Sequence, residues 1–405
     1  MTAPIFQPAD ILLPADADLR RWSVIACDQF TSDAAYWSAV EREVGDAPST
    51  LRLMLPEFYL GRCDEQAAAA DIQETMRRYL DADVFRTVPQ SFVYLERTLP
   101  SGVVRRGLVG QLDLEAYDYR REAVSPVRAT EGTVEERLPP RVRVRSAAPL
   151  EMPHIMLFLD DPSDAAMRAA EACAGETLYD FDLMAAGGHV RGRRISGAEA
   201  RALAVQISAG AASDGAVRFA VGDGNHSLAA ARKCWLEKKR RLTPEEAAAD
   251  PARYALAELV NIHDPAITFA PIHRVLLRTD PSEWFSAAEK ALAEPGDGRT
   301  ITLLAAGERR TILVRSDSIG TLIADVERFC RDYQSRHGGT LDYIHGDAEA
   351  ARLAAAEGCC GVLLPQMEKS ELFPSITHSG PFPKKSFSIG LGRDKRYYLE
   401  CRKIQ

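Results

Sequence analysis

The sequence lacks several features that would assign it to a large class of proteins. No apolar run approaches the ~20 residues needed to cross a bilayer. The opening stretch "MTAPIFQPADILLPADADLRRW" has no basic start followed by an apolar core, so no signal peptide is predicted. The formal net charge of −8 argues against general nucleic-acid binding, which requires a basic surface. We therefore expect a cytoplasmic protein with neither a membrane nor a nucleic acid as partner.

The cysteines lack any pattern. The chain has 8 of them, with no C-x-x-C pair and no framework spacing. This usage is typical of reduced thiols in a cytoplasmic protein and argues against a cysteine zinc site. Internal repeats and low-complexity linkers are also missing. Since 405 residues predict two or three domains, we expect those domains to pack together.

The residue patterns that are present predict an α/β fold of mixed α+β type. Short runs rich in β-branched and aromatic residues predict strands, at 22–28, 91–99, 106–114, 154–160, 217–223 and 267–277. Stretches with capping residues at their ends predict helices, at 161–175, 196–210 and 226–241, with two shorter helices within 243–263 on either side of Pro251.

A second unit is predicted to begin near residue 280. It starts with a helix over 280–294, followed by a hairpin that turns at Gly307 and a long amphipathic helix over 318–337. A strand–helix–strand pattern then covers 341–365. We therefore divide the chain into a larger core, 1–280, and a smaller α/β domain, 281–405, whose tail returns to the core.

The stretch "FAVGDGNHSLAAARKCW" (219–235) carries the strongest chemical signal, because it runs from a strand through two glycines into a helix. The first N–H groups of a helix and its dipole favour an anion, most often phosphate. Gly224 lets the backbone approach such a ligand, while Asn225 and Ser227 add polar groups. Asp223 and His226 are the catalytic candidates, because an acid beside phosphate suits a metal ion or proton transfer.

A structural interpretation of this turn remains open. Asp-Gly and Gly-Asn are common turn dipeptides, and Asn225 or Ser227 can simply cap the helix. The motif is not a Walker loop, because it lacks the Gly-Lys-Ser/Thr ending, and it is not an EF-hand.

The Arg-rich stretch 120–145 is the second candidate region. It has seven Arg and four Glu, a local charge of +3 in an acidic chain. Arg is suited to bidentate phosphate contacts, and the hydroxyl groups here add donors. Pro139, Pro140 and Gly132 favour a fixed loop over a solvated helix face. The phosphate-binding candidates are Arg128, Thr130, Thr133, Arg137 and Arg141.

Further candidates lie elsewhere. Asp28 ends a predicted strand, where α/β proteins place catalytic groups. Four residues in turns or strands are other candidates for the pocket: His189, His263, His273 and Arg274. Zinc bound by His189, His226 and His263 is possible, but no H-x-x-x-H helical pair supports it.

An ordered series of motifs resembles the domain-of-unknown-function-1015 family. It includes "WSVIACDQFTS", "RATEGTVEERLPPRV", "LYDFDLMAAGGHVRG", "FAVGDGNHSLAAARKCW", "LPQMEKSELF" and "KKSFSIG", and covers nearly the whole chain. The commoner form of the family has Asp-Gly-His-His-Arg where this chain has Asp223 to Ser227. That form is similar to the phosphate-binding turn of free-serine kinases in the ParB/sulfiredoxin-like superfamily.

The resemblance implies a ParB/sulfiredoxin-like catalytic core over 1–280. It also implies that Asp223 and His226 act at the transferred phosphate with Mg²⁺, Asp223 being the metal ligand, and that Asp28 is the base. Asn225 and Ser227 depart from the family pattern, so the missing positive charge must come from elsewhere, with Arg128, Arg137, Lys384 and Lys385 as candidates.

These observations together predict a phosphotransferase. It would move a phosphoryl group from pyrophosphate or a nucleotide to a small hydroxyl compound, with L-serine as the first choice of acceptor. Two alternatives remain: a phosphate-ester hydrolase at the same site, and a non-catalytic nucleotide- or anion-binding regulatory protein.

Overall fold

The computed structural model describes residues 3–26, 30, 33–152, 154–209, 216–294 and 298–405. Within these ranges the strands are β1 Phe6–Gln7, β2 Ala9–Pro14, β3 Phe85–Thr98, β4 Val104–Asp113, β5 Tyr117–Asp118, β6 Val127–Ala129, β7 Leu150–Glu151, β8 Met156–Leu159, β9 Thr177–Asp182, β10 His189–Ser196, β11 Phe219–Asp223, β12 Tyr254–Asn261, β13 Phe269–Leu277, β14 Arg299–Ala305, β15 Glu308–Val314, β16 Thr340–His345, β17 Cys359–Leu363, β18 Phe387–Ile389 and β19 Arg402–Lys403.

The helices of the same ranges are α1 Leu19–Trp22, α2 Ala34–Val44, α3 Glu65–Asp81, α4 Leu138–Arg145, α5 Ala165–Cys173, α6 Gly197–Ser208, α7 Asn225–Lys239, α8 Pro244–Ala249, α9 Trp284–Leu292, α10 Ile319–His337, α11 Asp347–Ala354 and α12 Leu372–Ser379. None of them combines the length and the apolar character needed to cross a membrane. The mixture of helices with mixed sheets confirms the predicted α/β class.

Two main sheets organise the described residues. The first has the strand order β5-β6-β11-β8-β12-β4-β3-β10-β9, with β1 added to β4 and β2 added to β3. Helices α5, α6 and α7 cover one of its faces through an apolar core that includes Met167, Leu203 and Leu228. Strand β11 runs parallel to β6 and antiparallel to β8, which places its carboxyl end beside the end of β6.

The second sheet has the order β15-β14-β17-β13-β16, with β18 paired to the first part of β13. Its core includes Trp284, Val326 and Ile376 from the helices that pack on it. Phe158 of the first sheet belongs to the same core, and its ring contacts Phe269 of β13 at a centroid distance of 6.1 Å. The two sheets therefore share apolar packing, as expected for a chain without a linker.

The second sheet includes β13, which ends before residue 280. The strand itself was predicted, but the sequence placed it in the first unit. The last residues of the chain lie against the first unit, since β19 pairs with β7 and Tyr398 bridges Val24. The division at residue 280 stays a prediction.

Three local predictions were wrong. Residues 254–261 were predicted as helix but form β12, which is central in the first sheet and almost wholly buried, so its side chains show no polar face. A strand was predicted at 22–28, but over residues 22–26 the only β-pairing is one bridge, between Val24 and Tyr398. The Val24 N–H donates to the Thr50 hydroxyl at 3.2 Å and not to a neighbouring strand. The fixed loop predicted within 120–145 contains helix α4. Its two prolines lie in the first turn, where a helix needs no N–H donor.

Candidate functional site: a phosphate-type turn in a two-sided cavity

The turn between β11 and α7 needs both of its glycines. A side-chain carbon on Gly222 would lie 2.3 Å from the ring of Phe158. Gly224 has a φ of +79°, a left-handed conformation that favours glycine, and it is the residue from which α7 begins. No side chain of the described residues caps this helix. Asn225 and Ser227 therefore do not cap α7, although the sequence left that role open for them.

Asn225 leaves an oxygen without a partner at the start of α7. The Thr130 hydroxyl donates to the Val221 carbonyl at 2.7 Å and can in turn accept from the Asn225 amide nitrogen at 3.4 Å. This arrangement orients the amide, and the remaining atom, Asn225 Oδ1, is buried with no hydrogen-bond partner among the described residues. Buried acceptors of this kind are uncommon because they lose their bonds to water. Asn225 Oδ1 is thus available to a donor or a cation.

His226 lies in the first turn of α7 as a neutral imidazole. Its Nε2 accepts a hydrogen bond from the Val134 N–H at 3.2 Å, so the ring proton is on Nδ1. Burial, together with the positive charges of Arg141 and Arg137, lowers the pKa of His226 to about 4. His226 is therefore a hydrogen-bond donor near neutral pH and carries no charge.

Asp223 is ionised at the end of β11. Burial acts to raise its pKa, but Lys395, His154 and the Gly224 N–H together lower it below the usual value. Lys395 Nζ lies 3.2 Å from Asp223 Oδ2, and the Gly224 N–H donates to Oδ1 at 2.8 Å. A carboxylate is thus held in its charged form beside the open start of a helix.

The turn opens into a cavity of about 810 Å³ that both sheets line. The predicted site residues on its wall are Thr130, Arg137, Arg141, Asp223, Gly224, Asn225, His226, Ser227, Lys384 and Lys385. Helix α4 presents Arg141, which pairs with Glu57 and also donates to the Arg137 carbonyl at 2.9 Å. Burial would raise the pKa of Glu57, but Arg141 outweighs it, so Glu57 stays ionised. The second unit supplies Lys384 and Lys385, whose side chains are exposed.

The oxygen atoms at the turn fit a Mg²⁺ ion that is also bound by phosphate. Among the described residues no group of three or more His, Cys, Asp or Glu side chains can hold a metal alone. Mg²⁺ often needs no such group, because it takes one or two protein oxygens and completes its shell with water and phosphate. The Asp223 carboxylate and the orphaned Asn225 Oδ1 provide two such oxygens.

Several predicted residues lie away from the cavity. Arg128 is buried at 6% exposure, and its Nε donates to the Ser125 carbonyl at 3.0 Å. Thr133 is not on the cavity wall either, although its hydroxyl is buried without a hydrogen-bond partner. Asp28 falls outside the described residues, so its role as base stays a prediction.

The remaining candidates each bind an acid elsewhere. His189 lies between Asp180 and Asp182, and His263 pairs with Asp160 at 2.7 Å. His273 Nε2 lies 2.9 Å from Asp347 and its Nδ1 accepts from the Leu364 N–H, while Arg274 pairs with Glu327 at 2.9 Å. These four residues are not on the cavity wall, so a zinc site formed by His189, His226 and His263 is not assembled.

The sequence reasoning missed three residues of this site. Lys395 reaches Asp223 from the tail of the chain, His154 bonds through Nδ1 to the Tyr398 hydroxyl at 2.6 Å, and Glu57 pairs with Arg141. Lys395 and Glu57 come from segments far from the turn in sequence, and no local motif marks them.

The chain belongs to the family described as "Protein of unknown function (DUF1015)", whose model matches residues 7–401. This match confirms the resemblance seen in the sequence. No curated protein sequence matches the chain.

Solved structures show a weaker likeness. A free serine kinase in complex with AMP has 10% identity over 73% of this chain and 91% of that one, with a TM-score of 0.38. SbnI with a C-terminal truncation from Staphylococcus aureus has 10% identity over 70% and 83%, with a TM-score of 0.36. A conserved hypothetical protein from Pyrococcus furiosus has 9% identity over 71% and 92%, with a TM-score of 0.34. Likeness at this level establishes neither a shared activity nor a shared ligand.

Proposed function

We propose that this protein is a phosphotransferase that moves a phosphoryl group from pyrophosphate or a nucleotide to the hydroxyl of a small compound, with L-serine as the first candidate. One observation carries the proposal. The open start of α7 faces a large cavity together with an ionised acid, Asp223, an unpartnered oxygen on Asn225, and several cations. Phosphoryl transfer depends on positioning and on charge stabilisation, and these groups supply both.

The phosphate end of the donor would lie against the first turn of α7. Backbone N–H groups and the helix dipole attract the anion there, and the Ser227 hydroxyl adds a donor. Arg141 approaches from α4 and Arg137 from the position just before it, while Lys384 approaches from the second unit. These cations take the place of the Arg that the commoner family turn has where this chain has Ser227.

His226 would act by hydrogen bonding. With its pKa lowered to about 4, it is neutral near pH 7 and donates from Nδ1. A neutral donor can follow the charge that develops on a phosphate oxygen, but it adds no fixed positive charge. The positive charge of the site must therefore come from the Arg and Lys residues.

Asp223 and Asn225 would hold Mg²⁺. When bound, this ion neutralises the charge of the donor phosphates and orients them. Lys395 Nζ lies 3.2 Å from Asp223 Oδ2 and balances its negative charge. A metal ion that binds Asp223 would therefore compete with Lys395. Lys395 also lines the cavity, so its ammonium group would be available to the donor phosphates when the metal ion binds Asp223.

The choice of L-serine rests on the resemblance of the turn to that of free-serine kinases, and Asp28 is the proposed base for the acceptor hydroxyl. The test is direct. Purified protein is incubated with L-serine, Mg²⁺ and pyrophosphate, ADP or ATP, and O-phosphoserine is measured. Formation of O-phosphoserine supports the proposal. Release of phosphate without it identifies a hydrolase, and binding without turnover identifies a regulatory protein.

A further inference from the structure

The cavity is larger than L-serine and pyrophosphate, the smaller of the proposed donors, require together. L-serine and pyrophosphate together have about sixteen non-hydrogen atoms. At roughly 30 Å³ for each, the share of a water molecule in the liquid, they fill at most about 480 Å³. The cavity measures about 810 Å³. Several hundred cubic ångströms therefore remain, and their lining indicates what occupies them.

One face of α4, together with the residue before it, forms a wall of the cavity. Arg137, Arg141, Val144 and Arg145 recur at the three- and four-residue spacing of one helix face, and all four line the cavity. Eight residues of helix separate the first from the last, a distance of about 12 Å. The Val134 N–H bond to His226 fixes the charged end of this segment at the phosphate-type turn.

The other end of the cavity forms an apolar lobe. Its walls come from the 53–60 segment, α3, the end of α4 and β7, and its apolar lining includes Leu53, Met54, Leu60, Met76, Val144 and Leu150. The Gln73 amide donates to the Val144 carbonyl at 2.9 Å, which holds α3 against the end of α4. The lobe is thus a structured part of the cavity.

One unpartnered donor lies in this lobe. Arg145 Nη1 donates to Glu151 at 2.5 Å, but Arg145 Nη2 is buried and has no hydrogen-bond partner among the described residues. Glu151 also accepts from Arg402 and from the Leu256 N–H, each at 2.8 Å, so its carboxylate already takes part in three hydrogen bonds. A buried donor without a partner costs free energy unless a ligand supplies the acceptor.

We infer that the acceptor substrate is longer than serine: a hydroxyl compound in which an apolar segment separates the reacting hydroxyl from a carboxylate that binds Arg145. The inference rests on the proposed function, because the hydroxyl is placed at the phosphate end. The base of a nucleotide donor is the competing occupant of the lobe, and the ADP measurement below distinguishes it from the hydroxy acid.

The test measures binding by calorimetry, so that it does not depend on turnover. ω-Hydroxy carboxylates of four, six and eight carbons are titrated into the protein with Mg²⁺ and pyrophosphate, and L-serine and octane-1,8-diol are compared. We expect affinity to rise about fourfold per added methylene. The diol should bind at least about tenfold more weakly than 8-hydroxyoctanoate, since it lacks the group that Arg145 binds.

A matched pair of variants locates the effect. Val144→Phe fills the lobe, and we expect it to weaken 8-hydroxyoctanoate binding more than tenfold. Val205→Phe, at a valine of α6 that is 57% exposed and away from the cavity, is the control and should change nothing. Melting temperatures of both variants show that they are folded.

The outcomes separate this inference from the proposed function. If L-serine is phosphorylated but no hydroxy acid binds more tightly than serine, the inference fails and the phosphotransferase stands. If chain length controls affinity and Val144→Phe removes that dependence, the ligand class stands even without turnover. If Val144→Phe instead weakens ADP binding by the same factor, the lobe holds the donor's base and the inference fails.

Discussion

Lys395 and Arg396 are neighbours in the chain, yet they belong to two groups of charges with opposite designs. Arg396 lies in the core at 4% exposure, where it pairs with Glu258 at 3.0 Å and Glu400 at 2.7 Å. Glu258 also faces Arg105 at 3.5 Å. In this core network each charge meets an opposite charge within the protein, and the tail is thereby fixed to the first sheet.

Lys395 points instead to Asp223 in the cavity. Unpartnered buried atoms occur in both groups: among the described residues Asn225 Oδ1 and Arg145 Nη2 have no hydrogen-bond partner at the cavity, and Arg105 Nε and Glu258 Oε1 have none in the core. The two groups differ in exposure. The side chains of the core pairs are at most 3% exposed, whereas Lys395 and Asp223 are 14% and 26% exposed, so a ligand in the cavity can reach them.

The largest expected effect breaks the core network. Glu258→Ala leaves Arg105 and Arg396 buried without their shared carboxylate. Removal of one partner from a buried ion pair destabilises a protein by about 3–5 kcal/mol. We expect a loss of this size in the free energy of unfolding measured with urea. Lys395→Ala, next to Arg396 but facing the cavity, should cost less, because Asp223 is 26% exposed there and still accepts the Gly224 N–H. Equal losses in the two variants would contradict the division.

A second prediction compares two arginines of the Arg-rich stretch. Arg137 lines the cavity and is exposed, whereas Arg128 is buried away from it. Arg137→Ala should weaken pyrophosphate binding by about 1.5 kcal/mol, roughly tenfold, as expected for one charge-assisted contact. Arg128→Ala should leave the pyrophosphate affinity unchanged and lower the melting temperature. Calorimetry on both variants decides, and the reverse pattern would place the anion near Arg128.

The smallest effect concerns pH and His226. Its pKa is about 4 in the folded protein and 6.5 in the reference state. Between these values the unfolded chain takes up a proton that the folded one does not, so stability falls as the pH drops from 6.5 towards 4. For a partly exposed ring this amounts to on the order of 1 kcal/mol.

His226→Gln keeps an acceptor for the Val134 N–H and removes the titration. Its stability should therefore fall less over the same pH range. His154 and His273, whose pKa values are also lowered, are present in both proteins, so the difference between the two profiles isolates His226. Parallel profiles from urea denaturation at several pH values would show that His226 titrates normally.

Local sequence was enough to predict the turn, because its glycines, acid and imidazole are consecutive in the chain. It also predicted that Arg137 and Arg141 would be near this turn, although Arg141 lies on a helix and not on a loop. Arg128 shows the limit of composition. The composition of an Arg-rich stretch does not show which arginine binds a nearby backbone carbonyl and which faces a cavity. Arg128 binds the carbonyl of Ser125.

Other parts of the site depend on contacts that no local pattern carries. Lys395 reaches Asp223 from the tail of the chain, and Glu151, the partner of Arg145, also binds Arg402 and Leu256 from later segments. Strand β12 was missed for a related reason. A central strand buried on both faces loses the alternation that distinguishes a strand from a helix.

The most direct test of the central claim is the Mg²⁺ dependence of pyrophosphate binding, measured by calorimetry for the wild-type protein and Asp223→Asn. Asn suits the same turn, so the melting temperature should change little. The account predicts that Mg²⁺ strengthens pyrophosphate binding to the wild type and that this gain is lost in Asp223→Asn. Equal affinities with and without Mg²⁺, or an unchanged gain in the variant, would contradict the claim that Asp223 holds a metal ion beside a phosphate at the start of α7.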